Sequence, residues 1–253
     1  LAGDQHAAMY SQAAHAKGAI ELQLGTSGMV KRNEGPTLGE FPPAPHPLVL
    51  WALDGERTFC VESPVLTAGA AAGWLHEGLG IISDVAELES LARSVSDSDG
   101  VWVVPAFAGL GGPHLELAAR GMIGGLSRGS THAHIARAML EGIAARCGEA
   151  ALALAEGPLA RLRVAGGAAK NGLLLQMLAD VTGAVVERPR VLDRAALGAA
   201  LLAGRALGQV TDKQVVASWE GYRSFEPAIS ADERGAHHEA WSRRIALVRE
   251  AVG

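Results

Sequence analysis

Short apolar runs rich in β-branched residues, separated by glycine and polar turn residues, dominate the first quarter of the chain. Runs of about four to eight such residues, bounded by turns, are typical of β-strands. Proline fixes φ and removes a backbone donor, so the proline-rich residues 41–47 are predicted to form a loop. The predicted strands in this part of the chain are residues 19–24, 28–31, 48–53 and 58–61.

Farther along the chain, stretches with apolar residues at helical spacing alternate with short apolar strands. This alternation is typical of an α/β sheet with helices packed on its faces. The helix at 131–156 should turn Ile135, Ala138, Met139, Ile143 and Ala144 toward the sheet. The other predicted helices are 7–14, 65–77, 85–94, 171–182, 195–207 and an amphipathic tail at 230–252; the predicted strands are 101–104, 161–165 and 184–187.

Glycine pairs stand at several junctions between predicted elements. Glycine allows a close approach of the backbone to a phosphate or a flat base, although a plain tight turn needs glycine too. Ligands of open α/β sheets bind beyond the carboxyl ends of the strands. Residues 166–171 (GGAAKN) link a predicted strand to a predicted helix, so we expect the helix dipole and its free N–H groups to face a nucleotide there.

The composition narrows the class of partner. A net charge of −5 without clustered lysine and arginine argues against a nucleic-acid surface. No apolar run reaches the roughly 18 residues needed to span a bilayer. Cys60 and Cys147 cannot build a disulfide framework; we expect buried thiols and a cytoplasmic location. The chain starts at Leu1 rather than Met, which leads us to expect a fragment of a longer protein.

Two short polar segments carry candidate chemistry. Asp4 stands near the positive end of a predicted helix, where it can act as a general base or simply cap the helix. Thr26 belongs to a turn, residues 25–28 (GTSG), that can hold phosphate oxygens or close an ordinary hairpin. The P-loop sequence is absent, and the histidines have no cysteine or acidic cluster to complete a metal site, so no metal-binding residues are predicted.

In combination and in this order, the segments resemble the FGGY family of carbohydrate kinases, most closely its glycerol kinase subfamily. The resemblance covers roughly residues 1–227. Residues 121–126 (GMIGGL), followed by 134–135 (HI) and 138–141 (AMLE), fit the second family signature at every position. The other matching segments are 2–12 (AGDQHAAMYSQ), 100–113 (GVWVVPAFAGLGGP), 119–121 (ARG), 166–171, 187–189 (ERP) and 196–200 (ALGAA).

The resemblance implies an actin-like ATPase (ribonuclease H-like) domain of the α/β class, with a mixed sheet and helices on both faces. It implies ATP and Mg²⁺ as cofactors and phosphate transfer to a hydroxyl of a small polyol or sugar, with glycerol first. Asp4 would then be the general base, and Gln5 and Met29 would contact the polyol. The nucleotide-binding residues that it implies are Thr26, Gly69, Gly73, Gly167 and Asn171.

The sequence also departs from the glycerol kinase pattern. Met29 replaces an aromatic residue, Ser27 replaces a glycine as in pentulose kinases, and Gly73 replaces a glutamine. Residues 114–117 (HLEL) differ from the YWDP usual at this point. A pentulose kinase, another sugar kinase of the family and a non-catalytic sensor or interaction domain therefore remain alternatives. Retention of Asp4, Thr26 and Asn171 together favours the kinase.

The chain is expected to be the C-terminal nucleotide-binding domain of such a kinase, residues 1–253, with its core at about 1–227. Its partners would be the small substrate and its own N-terminal domain, which is absent from this chain. Without that domain the isolated chain is expected to be inactive. Whether the protein forms a homo-oligomer, and whether it is regulated, is left open.

Overall fold

One mixed sheet organises the computed structural model, which describes residues 1–37, 47–219 and 221–251. The predicted loop at 41–47 therefore lies outside the described residues, apart from Pro47. A separate hairpin pairs β5 (Trp102–Val104) with β6 (Met122–Gly124). Across the sheet the described strands are ordered β3 (Leu48–Leu53), β4 (Glu56–Val65), β2 (Gly28–Gly35), β1 (Ile20–Leu24), β7 (Arg161–Ala165), β8 (Val185–Pro189) and β9 (Gly221–Phe225).

The sheet is parallel at its centre and antiparallel on both sides. Strand β7 pairs in parallel with both β1 and β8, while the remaining neighbours run antiparallel. The described helices are α1 (Asp4–Ser11), α2 (Gly69–Glu77), α3 (Leu88–Arg93), α4 (His132–Leu154), α5 (Gly172–Thr182), α6 (Arg194–Ala206), α7 (Asp212–Ala217) and α8 (Ala231–Glu250).

Opposite faces of β1 meet different helices. Leu22 and Leu24 are buried in the main apolar core, which includes α4. Glu21 points to the other face, where it meets Gln12 at the end of α1. The expected α/β architecture with helices on both faces is therefore confirmed.

Helix α4 is the centre of the core. The positions predicted to face the sheet are buried, with Met139 fully inaccessible and only Ile135 partly exposed. A Cβ on Gly142 would lie 2.2 Å from the Val103 carbonyl oxygen, so the helix backbone rests directly on β5. The long periodic pattern thus predicted both this helix and its buried face correctly.

Several boundaries were predicted wrongly. Strand β4 runs through Val65, which pairs with Gly28, so the helix predicted from residue 65 begins only at Gly69. Helix α1 occupies Asp4–Ser11 rather than residues 7–14. The segment predicted as one helix at 85–94 is a 3-10 turn, Val85–Glu87, followed by α3.

Three short elements, β6, β9 and α7, were not predicted. Strand β9 lies at the sheet edge, and four of its five residues are exposed. Because so little of this strand is buried, its sequence lacks the alternation of apolar residues that would have predicted it. Helix α8 was predicted, although residue 252 lies outside the described part. It packs through Trp241, Ile245 and Val248, whose spacing defines one helix face.

Both cysteine thiols are buried, and burial raises the pKa of each to about 12. Neither pairs with the other, in agreement with the predicted core thiols. Among the helices within the described ranges, none is both long and apolar enough to cross a membrane.

Candidate nucleotide cleft and catalytic helix

An open cleft of about 1140 Å³ lies where the β1–β2 turn meets α2, α3 and α5. The residues predicted to contact the nucleotide come from three separate parts of the chain. The structure brings all of them to the walls of this one cleft: Thr26, Gly69, Gly73, Gly167 and Asn171.

The β1–β2 turn is joined to the start of α2 by backbone hydrogen bonds. The Gly69 N–H donates to the Gly25 carbonyl at 2.9 Å, and the Ala70 N–H donates to the Thr26 carbonyl at 3.0 Å. A Cβ on Gly69 would lie 2.5 Å from the Gly25 oxygen, so this contact requires glycine. The Thr26 side chain is exposed, and its hydroxyl bonds to no residue in the described ranges. That hydroxyl is therefore available to a ligand.

The opposite wall follows β7. Gly166 has φ +103°, and a Cβ there would lie 2.5 Å from the Leu24 carbonyl oxygen. Glycine is required at this bend, which turns Gly167 into the cleft. Around a Cβ built on Gly167 or on Gly73, no atom of the described residues lies within 4 Å. Both positions leave open space for a ligand.

The start of α5 does not present the free N–H groups that the sequence predicted. The Asn171 Oδ1 accepts from Leu174 N at 2.9 Å, so Asn171 caps the helix. The Glu89 carboxylate accepts from Gly172 N at 2.8 Å and from Leu173 N at 3.1 Å. The helix end is thus already covered by an acidic side chain, and a phosphate would be repelled there.

Glu89 was missed by the sequence analysis. Burial raises its pKa, but hydrogen bonds from Arg93 and from the Gly172 and Leu173 N–H groups outweigh burial, and the net pKa is below the usual range. The carboxyl group is therefore ionised at neutral pH. It reaches α5 from α3, so no local motif could have indicated its role.

Two further cleft residues were also missed. Trp74 lines the cleft and packs on Phe107 with ring centroids 4.6 Å apart, offering an aromatic surface for a base. Lys170 is exposed at the opposite wall. A tryptophan within the small-residue stretch of α2 was the one sequence signal available.

The predicted catalytic residue lies on α1, outside the lining of the cleft. Gly3 is the N-cap of this helix, so the cap alternative for Asp4 is wrong in detail: Asp4 is the first helical residue. Its Oδ1 accepts the Gln5 N–H at 2.8 Å, and both side chains are exposed. The carboxylate remains accessible at the positive end of α1, as a general base requires.

Met29 lies on the strand that leads from the nucleotide cleft to the sheet face covered by α1. It follows Thr26 by three positions and is half-buried on β2, opposite Gln23 of β1 and Pro64 of β4. Alternation along β2 places Met29 on the same face as Lys31, which is the face covered by α1. The turn that contributes Thr26 to the cleft therefore continues into the surface beside the α1 helix.

One cluster near α1 has the composition of a metal site. Single donor atoms of His6, Cys60 and Glu62 lie within 4.8 Å of one another. His6 Nε2 already donates to Glu62 Oε1 at 2.9 Å, and burial together with Glu62 raises the pKa of Cys60 to about 12. The thiol is therefore protonated at neutral pH, and the absence of a protein metal site stays a prediction.

Comparison with known proteins identifies the fold and the family of the chain. Its fold is that of solved sugar kinases: it matches the ligand-bound xylulose kinase of Lactobacillus acidophilus with a TM-score of 0.79 and 19% identity, over 98% of this chain and 50% of that one. The C-terminal domain profile of the FGGY family of carbohydrate kinases matches residues 21–207. The chain belongs to the FGGY family of carbohydrate kinases, and the actin-like fold predicted from its motifs is confirmed.

Glycerol kinases are among the relatives that the chain resembles. The chain is 44% identical to that of Bordetella parapertussis over 259 residues, covering 98% of this chain and 50% of the relative. It is 42% identical to that of Deinococcus radiodurans over 257 residues, covering 99% and 51%. The crystal structure of Plasmodium falciparum glycerol kinase with ADP superposes with a TM-score of 0.89 at 25% identity, covering 97% and 50%. The chain thus spans about half the length of the relatives it matches.

Proposed function

We propose that this chain is the nucleotide-binding half of an ATP-dependent kinase that phosphorylates a hydroxyl of a small polyol. The observation that carries the proposal is the convergence of all five expected nucleotide residues on one cleft. The chain also carries an exposed aspartate at the start of α1. The glycerol kinases among its relatives support glycerol as the first substrate to test.

In this proposal ATP enters the cleft with its base and ribose toward Gly167 and Asn171. The ionised Glu89 disfavours phosphates at that wall, because like charges repel. The phosphates then lie toward Thr26 and Gly69, where a hydroxyl and a closely packed backbone turn face the open space. Gly73, without a side chain, leaves room between these two ends.

Mg²⁺ fits the site as an ion carried by the phosphates, where it would neutralise charge on the transferred phosphoryl group. Of the described residues that line the cleft, the carboxylates are Glu77 and Glu89, and the latter is bound to α5. Such a lining does not form an all-protein cage. It suits a hydrated ion held chiefly by its nucleotide.

Asp4 is proposed to accept the proton of the acceptor hydroxyl as that oxygen attacks the γ-phosphorus. Phosphoryl transfer depends on positioning and charge stabilisation rather than covalent catalysis, so a single aimed base is sufficient. Gln5, exposed beside it, would hydrogen-bond the other hydroxyls, and Met29 would pack against the carbon chain.

A pentulose or related sugar kinase is the second candidate. Ser27, Met29 and Gly73 replace residues usual in glycerol kinases, and Met29 is proposed to pack against the acceptor. A flexible thioether adapts to more than one ligand shape, which favours a broader acceptor range. A non-catalytic sensor domain is the third candidate, and it requires nucleotide binding without transfer.

The test uses the protein completed by its N-terminal domain, its proposed partner, with ATP and Mg²⁺. ADP release is measured with glycerol, dihydroxyacetone, xylulose and ribulose, and the phosphorylated product is identified by mass spectrometry. We expect release stimulated most by glycerol. Strongest stimulation by a pentulose would favour the second candidate. Nucleotide binding by folded protein with no stimulation by any acceptor would contradict the kinase.

A further inference from the structure

A row of charged residues crosses the sheet beneath α1. The residues are paired in register on five adjacent strands, so they point to the same face. Their charges alternate in sign along the row. The row is Glu187 on β8, Arg163 on β7, Glu21 on β1, Lys31 on β2 and Glu62 on β4.

The middle of the row is sealed from solvent. Glu21 and Lys31 are both fully buried, and Lys31 Nζ lies 2.6 Å from Glu21 Oε1. Burial of two charges carries a large desolvation cost, which close pairing offsets only in part. Such a pair adds little to stability compared with apolar residues, and its value lies in fixing a specific arrangement.

The arrangement that it fixes is the placement of α1. At the C-terminal end of the helix, Gln12 Nε2 donates to Glu21, and Arg163 donates to the Gln12 carbonyl. At the N-terminal end, His6 Nε2 donates to Glu62 Oε1 at 2.9 Å. Both ends of α1 are thus held by members of one row.

The contact between His6 and Glu62 holds the helical turn that also contains Asp4. From the described residues the Asp4 carboxylate receives one hydrogen bond, from the next residue in its own helix. Asp4 and Gln5, in the first turn of α1, are exposed. The side chains of His6, in the same turn, and of Glu62, on β4, are each 18% exposed. The His6–Glu62 bond therefore ties the first turn of α1, which carries Asp4, to the sheet. It acts alongside the backbone bonds between Leu1 and Ala52 and the packing of Ala7 against Gly198.

We propose that Glu62 is a positioning residue for Asp4, acting through His6. The inference rests on the proposed function, because it assigns Glu62 a role only if Asp4 is the base. A displacement of about 1 Å at a reacting group can cost on the order of 10²-fold in rate, so a lost tether should be visible in kcat.

The test is a double-mutant cycle in the protein completed by its N-terminal domain. Glu62→Ala should lower kcat at least tenfold while the KM for ATP is unchanged, and Glu62→Gln, which keeps an acceptor for His6, should recover most of the rate. In an Asp4→Asn background, Glu62→Ala should produce no further loss, because both changes disable the same base. Equal losses in the two backgrounds would overturn the positioning role.

A matched control separates positioning from general destabilisation. Glu34 is also buried and also pairs with an arginine, Arg32, but on β2 away from the row. Glu34→Ala should lower the melting temperature without the drop in kcat. If Glu62→Ala does not fold, His6→Ala removes the other partner of the bond and must show the same dependence on Asp4. If the Asp4→Asn variant instead keeps wild-type activity, Asp4 is not the base. That result contradicts the proposed function rather than the positioning role of Glu62.

Discussion

Glu89 Oε2 accepts a hydrogen bond from the backbone N–H of Gly172 at 2.8 Å, across 83 positions of sequence. This contact places a carboxylate at a helix end that the sequence marked as an anion site. In the proposed binding mode this carboxylate disfavours phosphates at the start of α5, so the base and ribose are placed there. Removing the charge tests how much the contact stabilises the cleft.

Glu89→Gln should lower stability in a pH-dependent way. The folded-state pKa of Glu89 is depressed, so its contribution is present above the ordinary glutamate pKa of about 4.3 and is lost as pH falls through the depressed value. The melting temperatures of wild type and variant should differ at pH 7 and converge as the pH falls below about 4.3. Glu239→Gln, on the exposed part of α8, is the control and should show no such trend. A difference that stays constant with pH would contradict the ionic role.

Gly73 offers a test that separates stability from binding. It lies within α2, where glycine costs roughly 0.5–1 kcal/mol relative to alanine, and its side-chain position faces open cleft. Gly73→Leu should therefore fold normally, or more stably, yet lower ATP affinity at least tenfold by filling the cleft. Gly235→Leu, at an open position on α8, should leave ATP affinity unchanged. Unchanged affinity in Gly73→Leu by calorimetric titration would place the nucleotide elsewhere.

The buried pair in the middle of the charged row predicts non-additive stability. Lys31→Met leaves Glu21 buried without its partner and should cost about 3–5 kcal/mol. Replacing both by methionine should cost less than this single change, because the remaining penalty is the buried Gln12 amide left without its acceptor. Denaturant unfolding of the two single variants and the double variant measures the coupling. Additive losses would show that the two charges do not depend on each other.

The sequence was informative where periodicity was long or a motif was local. The buried face of α4 followed from repeated apolar positions, and the place of Gly167 in the cleft followed from its position after a predicted strand. Gly69 and Gly73 came only from the family resemblance. The boundaries of elements were predicted wrongly where the pattern of a strand continued into residues that also suit a helix. The alternation of β4 continues through Val65 into small residues that also suit a helix, and only pairing with β2 decides between the two.

Contacts between distant parts of the chain were not predictable in this way. Glu89 reaches α5 from α3, and the charged row requires the register of five strands, which no single segment encodes. The individual charges, such as Glu21 and Lys31 within apolar strands, were visible in the sequence. Their significance emerges only when their burial and alignment are known.

If Asp4 is the base of a phosphoryl transfer, its role is measured by the kcat of Asp4→Asn in the protein completed by its N-terminal domain. Asparagine is nearly isosteric and keeps a side-chain oxygen that can accept the Gln5 N–H, so the fold should be kept. Asp84→Asn, at the exposed aspartate that caps the Val85–Glu87 turn, is the matched control and should retain full activity. For Asp4→Asn we predict a fall in kcat of about 10²–10⁴-fold, with melting temperature and ATP affinity unchanged. An Asp4→Asn variant that keeps most of its kcat would show that Asp4 is not the base.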